Sequence, residues 1–122
     1  METDLKIRTK GFAHDCVKIA LLFPNDKLGG HIKGQLIRCA TSVAANYRSA
    51  CIAQSKKSLI AKLSIVIEET DESNFWLEFT KDENVIKEDE LIVKLINESK
   101  ELTAIFITSR KTAQENLKNI KQ

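Results

Sequence analysis

Apolar residues recur every three or four positions along almost the whole chain, and this period restricts the possible folds more than any other feature. Such spacing places side chains on one face of an α-helix, whereas a half-buried strand needs strict alternation. One proline and four glycines in 122 residues leave few positions that would interrupt helices. The pattern therefore predicts an all-α protein, and the length corresponds to a single domain over residues 1–122.

The breaks in the periodic pattern separate four predicted helices. The first is expected to end at Phe23, because Pro24 has no backbone donor and disfavours helical geometry in the residue before it. A turn from Pro24 to Gly30 follows. Ser55 has the side chain of an N-cap for the third helix. Short connections favour antiparallel neighbours, hence an up-down-up-down four-helix bundle. The predicted helices are 4–23, 30–53, 56–81 and 89–119.

The third predicted helix carries more apolar surface than one bundle seam needs. Six of its residues follow heptad spacing, namely Leu59, Leu63, Val66, Thr70, Ser73 and Leu77. Additional apolar and aromatic side chains widen this stripe, which predicts a second buried interface, either within the bundle or between subunits. The candidates for that oligomer or core interface are Tyr47, Phe75, Trp76 and Phe79.

Charge is distributed unevenly although the net charge is only +2. Residues 1–54 carry +4, residues 55–98 carry −5 and residues 99–122 carry +3. Clustered positive charge is all that phosphate binding requires. Ordinary solvated helix faces also explain such charges, and both interpretations stay open at this stage. The candidate nucleic-acid-binding residues are Lys33, Arg38, Arg48, Lys56, Lys57 and Lys62.

The residue patterns of common catalytic and metal sites are missing from this sequence. Neither His14 nor His31 completes the Glu-x-x-His motif of bundle di-iron sites. There is no P-loop, and the pair Gly29-Gly30 lacks dinucleotide-binding spacing. The acidic run 68–72 is expected to be a solvated helix face. We therefore predict no catalytic residue, no metal ligand and no cofactor, and expect a protein that is not an enzyme.

The cysteines and the hydropathy pattern bear on the compartment. Cys16, Cys39 and Cys51 are odd in number and have no C-x-x-C spacing, which favours free, buried thiols in a reducing cytosol. No apolar run approaches the length of about 20 residues that a membrane span needs. A cytoplasmic location without membrane association is the expectation.

The stretch from Gln35 to Phe79, which reads QLIRCATSVAANYRSACIAQSKKSLIAKLSIVIEETDESNFWLEF, carries a family resemblance. It is similar to the four-helix-bundle family of 23S rRNA-intervening-sequence proteins, in a QL-R-ATS--AN-R-A block and a K-L…E-E…F-W-L helix. The sequence departs from that pattern at Cys51 and Ser58. The matching positions are Gln35, Leu36, Arg38, Ala40, Thr41, Ser42, Ala45, Asn46, Tyr47, Arg48, Ala50, Ser55, Lys62, Leu63, Glu68, Glu69, Glu72, Phe75, Trp76 and Leu77.

The resemblance implies a left-handed antiparallel bundle from a bacterial family that assembles as a ring, often a homopentamer. Members resemble accessory proteins of diversity-generating retroelements, in which a basic ring engages nucleic acid and a reverse transcriptase. No catalytic residue is attributed to the family. Counting outward from Ser55 also places Arg38 level with Glu72 in antiparallel helices, which predicts an Arg38–Glu72 or an Arg48–Glu69 ion pair.

Two main hypotheses for function follow from these features. The first is a non-enzymatic homo-oligomer that binds RNA or DNA, or a nucleic-acid-processing partner such as a reverse transcriptase. The alternative is a protein-binding adaptor or scaffold, which docks a partner through surplus apolar helix surface. Rising salt weakens phosphate binding steeply but not apolar docking, so salt dependence separates the two.

Overall fold

The computed structural model describes residues 2–121 and the side chains of residues 3–120. It contains four α-helices: α1 (Glu2–Ala20), α2 (Lys27–Cys51), α3 (Lys56–Asp82) and α4 (Asp89–Lys121). Each helix packs against its neighbour in the chain, and α4 also packs against α1 to close the bundle. The all-α four-helix-bundle prediction is confirmed, while the left-handed sense of the bundle stays a prediction.

The connection between α1 and α2 is where the predicted boundaries were wrong. α1 ends at Ala20 rather than Phe23, and α2 begins at Lys27 rather than Gly30. The side chain of Asp26 caps α2, because its Oδ1 accepts a hydrogen bond of 2.7 Å from the backbone N–H of Gly29. The two glycines that suggested a turn therefore belong to the first turn of α2.

Close packing leaves no room for a side chain at Gly29. A Cβ built at this position would lie 2.4 Å from the carbonyl oxygen of Pro24, closer than real Cβ atoms approach backbone. The glycine therefore lets the first turn of α2 pack directly against the chain that leaves α1.

The other two connections agree closely with the predictions. Ser55 caps α3 as expected, since its Oγ accepts a hydrogen bond of 3.0 Å from the N–H of Ser58. Between α3 and α4, Asn84 has a φ of 51°. Asparagine tolerates this left-handed conformation better than most residues, which suits it to end α3. α2 ends at Cys51, two residues before the predicted boundary.

One hydrophobic core runs through all four helices. Its largest fully buried side chains include Phe12 on α1, Leu36 on α2, Leu77 on α3 and Phe106 on α4. Buried hydroxyl groups on α3 return to their own helix: Thr70, for example, donates to the carbonyl oxygen of Val66 at 2.6 Å. Among the described side chains, no buried nitrogen or oxygen atom lacks a hydrogen-bond partner.

None of the helices within residues 2–121 is long and apolar enough to cross a bilayer.

Candidate nucleic-acid interface

The start of α3 and the end of α4 together form a strongly basic surface. The two helices are antiparallel, and Nη1 of Arg110 donates a hydrogen bond of 3.2 Å to Oγ of Ser64. This register puts the first turns of α3 level with the last turns of α4. We call the resulting surface the basic end; its cations are Lys56, Lys57, Lys62, Arg110, Lys111 and Lys118.

The basic end has little negative charge to offset these cations. Glu115 is the only acidic residue in segments 56–67 and 102–120. Lys57, Lys111 and Lys118 are exposed, while Lys56, Lys62 and Arg110 are half-buried. Within the described part of the chain, none of the five lysines forms an ion pair. Their charge is therefore available to an external anion.

The other three predicted cations do not join the basic end. Lys33 is half-buried near the start of α2, and the helix between it and Cys51 is about 27 Å long. Arg48 is exposed on the side of α2 that faces α1. Arg38 is held in ion pairs with α3. The structure thus brings together three of the six candidates, Lys56, Lys57 and Lys62.

Arg38 is the centre of a polar network between α2 and α3. Its guanidinium contacts Oε2 of Glu69 at 3.2 Å and also pairs with Glu72. The indole Nε1 of Trp76 donates to the same oxygen of Glu72 at 3.1 Å. The predicted Arg38–Glu72 pair is confirmed. The Arg48–Glu69 alternative is wrong, because Glu69 faces Arg38. Two carboxylates contact Arg38, and these ion pairs link α2 to α3.

A second basic surface lies in the groove between α1 and α2, which has a volume of about 660 Å³. Its floor is apolar, formed chiefly by small or branched side chains such as Ala13, Val17 and Ala44. No acidic residue lines it, and α2 contains none along its whole length. We call it the α1–α2 groove; its basic residues are Lys6, Lys10, His14 and Arg48.

The four aromatic candidates occupy two different environments. Tyr47 is 8% exposed and packs against Phe106 with ring centroids 5.5 Å apart, which makes it part of the core. Phe75, in contrast, is 52% exposed on the outer side of α3. Trp76 and Phe79 are half-buried beside it, and Trp76 also packs edge-to-face with His31, with ring centroids 5.6 Å apart. Only Phe75 presents a largely uncovered ring.

The thiols and potential metal ligands offer little chemistry. Cys16 and Cys39 are buried, and Cys51 is half-buried; none of the three forms a disulfide. Burial raises the pKa of Cys16 well above its usual range and that of Cys39 to about 11, so both stay neutral thiols near pH 7. No cluster of three or more metal-ligating side chains occurs among the described residues.

Comparison with family models decides the relationship that the Gln35–Phe79 block suggests. The model described as 23S rRNA-intervening sequence protein matches residues 3–108. The chain belongs to this family. The match spans all of α1 to α3 except the first residue of α1, together with α4 up to Thr108. The cations of the basic end that lie on α4 therefore fall beyond the part that the family model matches.

A solved structure from the S23 ribosomal protein family shares the fold. The crystal structure of a protein of unknown function from the S23 ribosomal protein family of Bacteroides thetaiotaomicron is similar, with a TM-score of 0.80. The two chains are 28% identical over 91% of this chain and 99% of the other. No curated protein matches the sequence. Membership of the 23S rRNA-intervening sequence family thus rests on sequence and on fold.

Sequence reasoning missed half of the basic end and most of the α1–α2 groove. The net positive charge of residues 99–122 could be read from the sequence, but the proximity of this segment to Lys56 and Lys57 depends on the register of α4 against α3. The basic residues of α1 were visible as well, since Lys6, Lys10 and His14 recur every four residues on one helix face.

Proposed function

We propose that this member of the 23S rRNA-intervening sequence family is a non-enzymatic, cytoplasmic homo-oligomer that binds RNA or DNA through the basic end. The observation that carries the proposal is the concentration of six cations on two adjacent helix ends with a single carboxylate, Glu115. Such a surface attracts the phosphate backbone without reading sequence.

Assembly would strengthen this binding. A ring of several chains, such as the homopentamer that the resemblance implies, presents one basic end per chain to the same nucleic acid. Linked sites of modest individual affinity then bind with a much higher combined affinity. A reverse transcriptase or another nucleic-acid-processing enzyme would fit the proposal as a partner, because its RNA or DNA would contact the basic end.

Binding of a labelled RNA and a labelled DNA duplex, measured by fluorescence anisotropy at several salt concentrations, tests the proposal. The variant Lys57→Gln/Lys111→Gln/Lys118→Gln removes three exposed cations from the basic end. We expect at least tenfold weaker binding, and a slope of log affinity against log salt that is lower by about 2.7 for the duplex if all three contact phosphate.

The matched control is Lys81→Gln/Lys87→Gln/Lys94→Gln, which removes three exposed lysines at the opposite end of the bundle. It lowers the net charge equally and should bind nearly as well as the unchanged protein. Equal losses of affinity in the two variants would mean that the net charge of the whole protein, and not the basic end, is responsible for binding. Absence of binding at low salt would contradict the proposal altogether.

The adaptor function remains the second candidate because apolar side chains are exposed at the opposite end. Leu21 is 62% exposed, Leu22 53% and Leu28 44%. A protein partner docked on these leucines would bind equally well at low and high salt. Replacing them by serine would abolish such binding and leave nucleic-acid binding intact.

A further inference from the structure

The α1–α2 groove and the outer side of α3 carry complementary patterns. In the groove, Ile7 and Val17 are ten positions apart on α1, with Lys10 and His14 between them. On α3, Ile65 and Phe75 are also ten positions apart, which is about 15 Å of helix in both cases. We call the α3 surface the acidic face; it consists of Ile65, Glu68, Asp71, Phe75 and Glu78.

The acidic face is a helix side without a neighbour in its own bundle. Ile65 is 39% exposed and Phe75 52% exposed, although both are large apolar side chains. Glu68, Asp71 and Glu78 are exposed, and within residues 3–120 none of them has an ion pair. Glu69 and Glu72, which lie on the side toward α2, are already occupied by Arg38. The face thus offers apolar contacts and unneutralised negative charge together.

The α1–α2 groove offers the opposite charge with a similar apolar content. Ile7 is 67% exposed at its edge, and the small side chains of Ala44 and Ala45 on its α2 side let another helix approach closely. Lys10, His14 and Arg48 have no ion pair among the described residues. A helix with acids between two apolar anchors therefore matches this groove in both charge and spacing.

We infer that the α1–α2 groove of one chain binds the acidic face of a second copy of the same chain. Opposite charges select this partner, and the exposed isoleucines and Phe75 become buried in the contact. The inference rests on the proposed homo-oligomer and identifies the two surfaces through which it forms.

The contact has a consequence for the type of assembly. A groove–face contact that is made once between two copies leaves a free acidic face on one copy and a free groove on the other. Head-to-tail contacts of this kind close into a ring if the rotation between copies permits, and otherwise extend as a filament. The basic end takes no part in the contact, so every subunit keeps it available to nucleic acid.

Charge reversal tests the inference, with mass in solution measured by light scattering. Glu68→Lys/Asp71→Lys should repel the groove, and Lys10→Glu/Arg48→Glu should repel the acidic face. We expect each variant to sediment and scatter as a 13.8 kDa single chain at concentrations where the unchanged protein assembles. All four substitutions in one chain restore opposite charges and should restore the assembled mass. The control Glu83→Lys/Glu88→Lys reverses two exposed acids after α3 and should leave the mass unchanged.

The possible outcomes separate this inference from the proposal on which it rests. An unchanged protein that stays a single chain at all concentrations would contradict the homo-oligomer itself. Assembly that persists in both charge-reversed variants, or that the fourfold variant fails to restore, would overturn only the groove–face contact. If Lys10→Glu/Arg48→Glu loses RNA binding but keeps its assembled mass, nucleic acid occupies the groove and the inference is wrong.

Discussion

Arg8 on α1 and Glu98 on α4 form a salt bridge with two parallel hydrogen bonds. Nε of Arg8 donates to one carboxylate oxygen at 2.8 Å, and Nη2 donates to the other at 2.7 Å. These hydrogen bonds, which the carboxylate of Glu98 accepts, raise the pKa of the Arg8 guanidinium above its already high ordinary value. Since α1 is the first helix and α4 is the last, this pair links the two terminal helices of the bundle.

Removing the Arg8–Glu98 pair should lower stability measurably. Both side chains are partly buried and their geometry is bidentate, so Glu98→Gln is expected to cost about 1 kcal/mol of unfolding free energy. Glu101 also contacts Arg8, at 3.2 Å, but is 69% exposed, and Glu101→Gln should change stability by less than about 0.5 kcal/mol. Urea denaturation of the two variants provides the comparison, and equal effects would show that the bidentate geometry is unimportant.

Alanine substitutions at the three glycines of α2 should change the stability of the protein in different directions. Gly29→Ala places a Cβ against the carbonyl oxygen of Pro24, which is backbone and has little freedom to move, so we expect a loss of about 1–3 kcal/mol. Gly30 and Gly34 have nothing within 4 Å of an added Cβ. Gly30→Ala and Gly34→Ala should each stabilise the protein by up to about 1 kcal/mol, since alanine favours helix. Thermal unfolding followed by circular dichroism measures all three.

The Arg38 network can be followed through Trp76, the only tryptophan in the chain. Glu72→Ala removes the acceptor of the indole N–H and should shift the fluorescence emission of the folded protein, whereas Asp82→Ala, at the exposed end of the same helix, should not. A double-mutant cycle of Arg38→Ala and Glu72→Ala should give a coupling of about 0.5–1 kcal/mol. Strictly additive losses would mean that the pair contributes nothing beyond its separate side chains.

The buried thiols predict a dependence of stability on alkaline pH. An unfolded cysteine ionises near pH 8.5, whereas Cys39 in the fold stays neutral until about pH 11. Between these values the folded state holds a proton that the unfolded state has lost, so the unfolding free energy should fall as pH rises. Replacing Cys39 by alanine should flatten that fall.

The reactivity of the same thiols provides an independent check of this prediction. A thiol reagent at pH 8 should label Cys51 in the folded protein, and Cys16 and Cys39 only after unfolding. Rapid labelling of Cys39 in the native state would contradict its burial.

The sequence predicted the helices well because hydrophobic period and capping are local properties. Ser55 could be recognised as an N-cap from its own side chain and its position before an apolar run. The start of α2 was missed because Gly29 and Gly30 resemble turn residues, whereas the structure requires glycine at position 29 because the carbonyl oxygen of Pro24 lies too close for a Cβ.

Polar contacts between helices could be predicted where a short connection fixes the register of the two helices. Arg38 and Glu72 were paired correctly because one short connection sets the register of α2 against α3. No such connection joins α1 to α4, and so the Arg8–Glu98 pair, 90 positions apart, could not be derived. The cations of α4 in the basic end could have been placed in the same way as Glu72, because the connection between α3 and α4 is also short, over residues 83–88.

Light scattering of the purified protein, alone and mixed with RNA at low and at high salt, measures self-assembly and RNA binding in one experiment. We expect a mass of several chains without RNA, a larger complex with RNA at low salt, and loss of the RNA but not of the assembly as salt rises. A mass of 13.8 kDa that RNA leaves unchanged at low salt would contradict this expectation.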